Sequence, residues 1–169
     1  MHDETMQDYD FEGSIGYWIC ITSHLYQRQI DRELTPLGIT FRQFQVLGWL
    51  VHDGELSQAK LAERMMIEPP TLVRLLDRMQ AHGWIVRSSG DADRRRKIIQ
   101  LGDQAKPVWD RVVECLRRTR DRATANMSAD EVSTLQDLLR RVQGNLAAHS
   151  TFPFEPFALT PDSSQETNA

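Results

Sequence analysis

Ser57–Leu101 reads SQAKLAERMMIEPPTLVRLLDRMQAHGWIVRSSGDADRRRKIIQL. Two short helical patterns are joined by a tight turn, and two β-prone runs then flank a charged tip. The stretch holds nine Lys/Arg (Lys60, Arg64, Arg74, Arg78, Arg87, Arg94, Arg95, Arg96, Lys97) against five acids (Glu63, Glu68, Asp77, Asp91, Asp93). It therefore carries +4 within a chain of net charge −4, which leaves −8 on the remainder. A basic module on an acidic body points to a polyanionic partner.

Ser57 precedes a run of good helix formers, and its hydroxyl is placed to accept from a free N–H of the first turn. Leu61, Ala62 and Met65 fall on one face of that helix, which exposes Lys60 and Arg64. Pro69 and Pro70 break it and start another, because proline suits a first turn and forbids continuation. The second helix runs to about His82, with Leu72, Leu75, Leu76 and Met79 as its apolar stripe. Gly83 suits a left-handed helix end, on which Trp84 can fold back. Pro70, Thr71 and Arg74 point away from the core, near the N-terminus that a recognition helix turns to base edges.

Trp84–Arg87 and Ile98–Leu101 are the β-prone runs, separated by a Ser, Gly and Asp turn that ends in Arg94, Arg95, Arg96 and Lys97. Four adjacent cations repel one another, so the cluster makes sense against phosphates or in a narrow minor groove. Asp93 is placed to brace Arg95. Taken alone, Arg74 and Arg78 read as solvated cations pairing with Asp77; beside a basic hairpin, contact with duplex DNA is the better reading. The fold class is mainly α: a winged helix-turn-helix over 55–101 with a two- or three-stranded wing, between long terminal helices.

The order of helix, turn, proline-started helix, L-V-R-x-L-D-x-M, G-W-I-x-R, D-x-D-R-R and I-x-L resembles the MarR family of bacterial regulators. The phrase Ile67–Arg74 is especially similar to its SlyA branch. The resemblance covers about residues 14–148, and the wing motif is its most specific part. It implies a homodimeric transcription factor whose helix with Pro70, Thr71 and Arg74 enters the major groove, while Arg95, oriented by Asp93, reaches the minor groove. Candidate DNA-contacting residues are Ser57, Pro70, Thr71, Arg74, Arg78, Asp93, Arg94, Arg95, Arg96 and Lys97. Arg96 stands where the family more often has a small residue, and it either adds a phosphate contact or lies exposed. Resemblance also implies a small aromatic or phenolic effector, with Trp18, Tyr26, Arg42 and His52 as candidate liners.

Outward from the module, residues 1–10 are acidic, polar and expected to be flexible. From Phe11, apolar residues step by threes and fours (Ile15, Trp18, Ile19, Leu25, Ile30, Leu34), which predicts an amphipathic helix to about Leu37. Thr40–Gln43 forms a capping box for a helix that buries Phe44, Leu47, Leu50 and Val51. Glu55–Leu56 is expected to add a third wing strand. The family usually has a threonine where Gly102 stands, so the cap of the next helix is weaker here or shifts to Asp103. Ser128–Glu131 is a second capping box, opening a helix with Val132, Leu135, Leu138, Leu139, Val142 and Leu146 on one face. The helical stretches 11–37 and 103–150 bracket the module and carry more apolar surface than one copy needs, which is the material of a two-fold interface. Two recognition helices about one DNA turn apart then call for an inverted-repeat operator. Residues 151–169 begin with three phenylalanines between prolines and end polar; this tail either staples onto the dimer body or is an unstructured end.

A chain of 169 residues reads as one MarR-type domain over 11–150. No apolar run reaches the ~20 residues of a membrane span, and the N-terminus lacks the layout of a signal peptide, so a cytoplasmic protein is expected. Nucleophile elbows, phosphate loops and zinc spacings are missing from the sequence, so neither an enzyme nor a cofactor or metal is expected. Cys20 and Cys115 make no paired motif, and Cys20 reads as a small core residue; a thiol redox sensor is the alternative. The other alternative is a winged-helix adaptor that docks on protein, against which the basic wing argues.

Overall fold

The structure, a computed structural model, describes residues 10–89 and 97–149. The chain divides into two compact units, residues 1–123 and 124–169. In the first unit, helix α1 (Ile15–Leu34) starts four residues later than the stepping from Phe11 predicts. A turn precedes it instead, in which the Asp10 carboxylate accepts from the Gly13 N–H at 2.9 Å. A 3₁₀ turn, Thr35–Leu37, follows α1, and Gly38 closes it in the left-handed region.

Helix α2 (Phe41–Asp53) opens on the expected capping box. The Thr40 hydroxyl accepts from the Gln43 N–H at 3.3 Å, and Gln43 Oε1 accepts from the Thr40 N–H at 2.9 Å. The buried face is rotated from the expected one: Gln43, Val46, Leu47 and Leu50 are buried, Phe44 is half-buried, and Val51 is 44 % exposed. Gln43 tolerates burial because its amide oxygen also accepts from the Thr40 hydroxyl.

The remaining elements are β1 (Leu56–Ser57), α3 (Gln58–Met65), α4 (Pro69–Ala81), β2 (Ile85–Ser89), β3 (Lys97–Leu101) and α5 (Ala105–Ala123). The wing has three strands, in the antiparallel order β1-β3-β2. Leu56 and Arg87 sit on opposite sides of Ile99, each in register with it. Every residue of the two predicted helix-turn-helix stripes is buried: Leu61, Ala62 and Met65 on α3, and Leu72, Leu75, Leu76 and Met79 on α4. These meet Val46, Leu47 and Leu50 of α2 and the two strand isoleucines Ile85 and Ile99. Burying each large aliphatic side chain stabilises the fold by roughly 1.5–3 kcal/mol.

A second, smaller core joins Ile30 and Leu34 of α1 to Ile39, Val112 and Cys115, and half-buried Trp84, Val108 and Trp109 touch both cores. An ionic clasp reinforces this contact. Glu33 accepts from Arg118 Nε at 2.7 Å and from Arg122, and these two guanidiniums hold its carboxyl below the usual carboxylate range. The Cys115 thiol donates to the Glu33 carbonyl at 3.3 Å. Cys20, expected in the core, is instead exposed on the N-terminal part of α1, where none of residues 15–29 is buried. That half of α1 extends past the contacts Ile30 and Leu34 make, so its position in the stripe gives it no neighbour within the unit.

Gly102 is held by space rather than by torsion. Its N–H donates to the Trp84 carbonyl at 2.9 Å, and a Cβ there would lie 2.3 Å from the Gly83 carbonyl oxygen. The threonine usual in the family does not fit this close backbone crossing. Pro107 is the third residue of α5, within the first turn, where no intrahelical N–H is lost.

In the second unit, α6 (Ala129–Ala148) begins on the Ser128 capping box, with Glu131 N–H donating to the Ser128 hydroxyl at 3.2 Å. The backbone and hydroxyl of Ser128 both bond to Glu131, which lowers its pKa. Leu135, Leu138, Leu139 and Leu146 of α6 are all exposed. No helix among the described residues is long and apolar enough to cross a membrane.

Candidate nucleic-acid interface

The helix-turn-helix is built by two local devices. Ser57 Oγ accepts from the Lys60 N–H at 3.2 Å and starts α3. Met66 then ends α3 in the left-handed region (φ 51°), and the Ile67 N–H returns to the Ala62 carbonyl at 3.1 Å. Met66 is 78 % exposed, while Ile67 packs on the core and sets the angle of the turn.

Pro69 and Pro70 occupy the first two positions of α4, as expected. Neither has a backbone N–H, and the Thr71 N–H donates to the Glu68 carbonyl at 3.0 Å. The free donors that a helix start ordinarily offers an anion are thus reduced, so side chains must supply the contacts here. Pro70, Thr71, Arg74 and Arg78 are all exposed on the side of α4 away from its buried stripe. Neither Arg74 nor Arg78 forms an ion pair among the described residues. Asp77, expected to pair with them, is bound by Arg87 from strand β2 at 2.7 Å. The reason lies in the pleat: Arg87 follows buried Ile85 by two residues and so shares its inner face, toward α4.

Ser57 takes its expected capping role: it is only 8 % exposed, and its hydroxyl accepts from the Lys60 N–H. Lys97 is exposed at the start of β3, opposite Ser89. Asp93, Arg94, Arg95 and Arg96 lie outside the described residues.

The four candidate ligand liners are not gathered at one place. Trp18 is 52 % exposed and its indole N–H donates back to the Glu12 carbonyl at 2.8 Å. Tyr26 is 38 % exposed, two turns along the same helix. Arg42 donates to Gln45 at 3.0 Å in the first turn of α2, and His52 pairs with Asp53 in the last. Ten residues of helix put Arg42 and His52 about 15 Å apart. Sequence reasoning missed a cluster at the α2 end: Asp53 also pairs with Arg64 of α3 at 3.1 Å, and the Arg64 guanidinium lies 5.3 Å from the Trp49 ring centre. An acid closing one helix with an arginine in the next was its only signal. The sulfur of Cys20 meets no cationic side chain among the described residues, and His24 Nδ1 bonds instead to the Cys20 carbonyl at 2.8 Å.

Residues 37–96 match the model of the MarR family. Among solved structures, the chain is similar to a mutant MarR from E. coli, at 25 % identity and TM-score 0.71, over 81 % of this chain and 99 % of that one. It is also similar to a mutant MarR from E. coli complexed with operator DNA, at 27 % identity and TM-score 0.68, over 76 % of this chain and 92 % of that one. A MarR-family transcriptional regulator from Silicibacter pomeroyi shares the fold, at 24 % identity and TM-score 0.74, over 88 % of this chain and 100 % of that one. The fold is thus one that transcriptional regulators share.

Proposed function

We propose that this chain, MarR-type in its residues 37–96 and in its fold, is a sequence-specific regulator that binds double-stranded DNA. It acts in the cytoplasm as a homodimer on an inverted repeat, and the phrase Ile67–Arg74 is similar to the SlyA-like branch. The observation that carries the reading is the outer face of α4. Two arginines without ionic partners among the described residues stand there beside Thr71, while the one acid among them is neutralised from the side by Arg87. That arrangement leaves Arg74 free to pair with a guanine edge and Thr71 to touch a thymine methyl or a phosphate. The basic run Arg94–Lys97 of the sequence supplies the flanking minor-groove contact. A mutant MarR from E. coli, 27 % identical, was solved with operator DNA, which supports the same use of the fold here.

Two-fold assembly has its own support. Ile15, Trp18 and Leu25 of α1 are each more than half exposed, and so is Leu146 of α6. Apolar surface left open on both a first and a last helix fits coverage by a second copy. A small aromatic effector acts by favouring a spacing of the two α4 helices that the operator cannot accept.

The test is selection of bound duplexes from a random pool, followed by anisotropy titrations over a salt series. The selected sites should be inverted repeats with half-site centres about 10 bp apart. Arg95→Ala should weaken binding to all sequences and lower the salt slope by about 1, whereas Arg74→Ala should relax preference at one base position. No duplex affinity at low salt, together with salt-insensitive capture of a protein partner, overturns the reading in favour of an adaptor.

A further inference from the structure

We infer that Arg87 is a positioning residue for DNA recognition, which locks the angle between α4 and the wing through Asp77 and the Val73 carbonyl. The inference rests on the DNA-binding reading above and says how the two DNA-facing elements are held in register.

In the sequence, Arg87 is one more cation of a basic module, and electrostatics alone would assign it to a phosphate. Its geometry says otherwise. Strand register sets Arg87 opposite Ile99, one of the most deeply buried residues of the wing, and on the same face of β2 as buried Ile85. Only 20 % of its side chain is exposed. Nη2 donates to Asp77 Oδ1 at 2.7 Å and to the Val73 carbonyl at 3.2 Å. Both hydrogens of that nitrogen are spent on α4, while Nε is buried without a hydrogen-bond partner among the described residues.

Two consequences follow from this placement. Asp77 lies on the outer side of α4 between Arg74 and Arg78, where its charge would oppose a phosphate backbone; Arg87 cancels it without using a DNA-facing cation. Moreover, α4 and β2 are joined covalently only through His82–Trp84, with Gly83 in the left-handed region. Nη2, carried on a planar guanidinium and bonded one turn of helix apart at Val73 and Asp77, fixes the direction in which α4 leaves that joint. Base readout needs hydrogen-bond geometry held to a few tenths of an ångström, whereas a phosphate contact tolerates more. Loss of the lock should therefore cost specific binding and spare non-specific binding.

The experiment uses the full chain with a selected duplex and a scrambled one, in anisotropy titrations over a salt series. Its variants are Asp77→Asn, Arg87→Gln and Arg87→Lys. Asp77 is 58 % exposed, so Asp77→Asn leaves the core untouched, and thermal melts of all three confirm folding. The two readings predict opposite signs for Asp77→Asn. A lock predicts that the selected duplex binds about tenfold more weakly, with the scrambled duplex as tight as before or tighter and the salt slope unchanged. Arg87→Lys should share this loss although it keeps the charge, because its ammonium ends one bond short of the place of Nη2 and reaches Asp77 and the Val73 carbonyl less well. If Asp77→Asn tightens both duplexes, and Arg87→Gln weakens both equally while lowering the salt slope by about 1, Arg87 is an ordinary phosphate contact and the inference falls. A wild-type chain that binds neither duplex overturns the DNA-binding reading, and this inference with it.

Discussion

Replacing Gly102 by alanine should destabilise the fold by roughly 2–4 kcal/mol, although the added group is one methyl. An alanine Cβ would stand 2.3 Å from the Gly83 oxygen, 3.0 Å from the Gly83 carbonyl carbon and 3.2 Å from the Ile85 nitrogen. All three atoms are backbone, so no side chain can turn aside. Relief requires the segment before α5 to back away from the end of α4. The Gly102 N–H bond to the Trp84 carbonyl (2.9 Å) and the Gln104 N–H bond to the Gly83 carbonyl (3.2 Å) then lengthen together. Each such bond contributes about 1 kcal/mol net, of which lengthening forfeits about half. The residual strain of an overpacked site adds about 1–3 kcal/mol. Threonine, which would restore a helix cap worth about 1 kcal/mol, should still be less stable than glycine. Urea unfolding at fixed protein concentration measures the loss. With a slope near 2 kcal/mol/M, the midpoint should fall by roughly 1–2 M. An alanine variant whose midpoint stays within about 0.25 M of the parent's refutes the argument, because the backbone would then have room that the crossing denies.

Met66 holds a left-handed conformation with its side chain in solvent, so Met66→Gly should raise stability by about 0.5–1 kcal/mol, read as a higher melting temperature. A lower melting temperature would show that the methionine side chain makes contacts worth more than the torsional cost. Glu33 concerns pH: its carboxyl is held low by Arg118 and then Arg122, so its stabilisation is fully present above the ordinary glutamate range. It is lost as pH falls through the lowered value. The stability gap between the parent and Glu33→Gln should therefore close in acid, in denaturation curves taken at steps between neutral and acidic pH. A gap that widens as pH falls contradicts the clasp.

Much of the local structure was legible before any coordinates. The Thr40 and Ser128 capping boxes, the Pro69–Pro70 start of α4, the Gly83 stop and the stripe Leu72, Leu75, Leu76 and Met79 all stand where the residue pattern places them. Each depends on interactions within about four residues, and such interactions are written into sequence spacing. The outer face of α4 was legible for the same reason, since a helix that buries one stripe must expose the other.

Everything that required knowing a distant neighbour was read differently or not at all. Val51 lies outside and Gln43 inside because the partners of α2, not its own periodicity, set its rotation. Cys20 is exposed on the part of α1 that lies beyond Ile30 and Leu34, the residues by which that helix joins the smaller core. Asp77 pairs across a turn with Arg87, fourteen residues from Val73, rather than along α4 with Arg74 or Arg78. Gly102 reads as a weakened cap until Gly83 is seen against it. Spacing along a chain reports which side chains share a face; which atoms then meet across space depends on how the packed elements close upon one another.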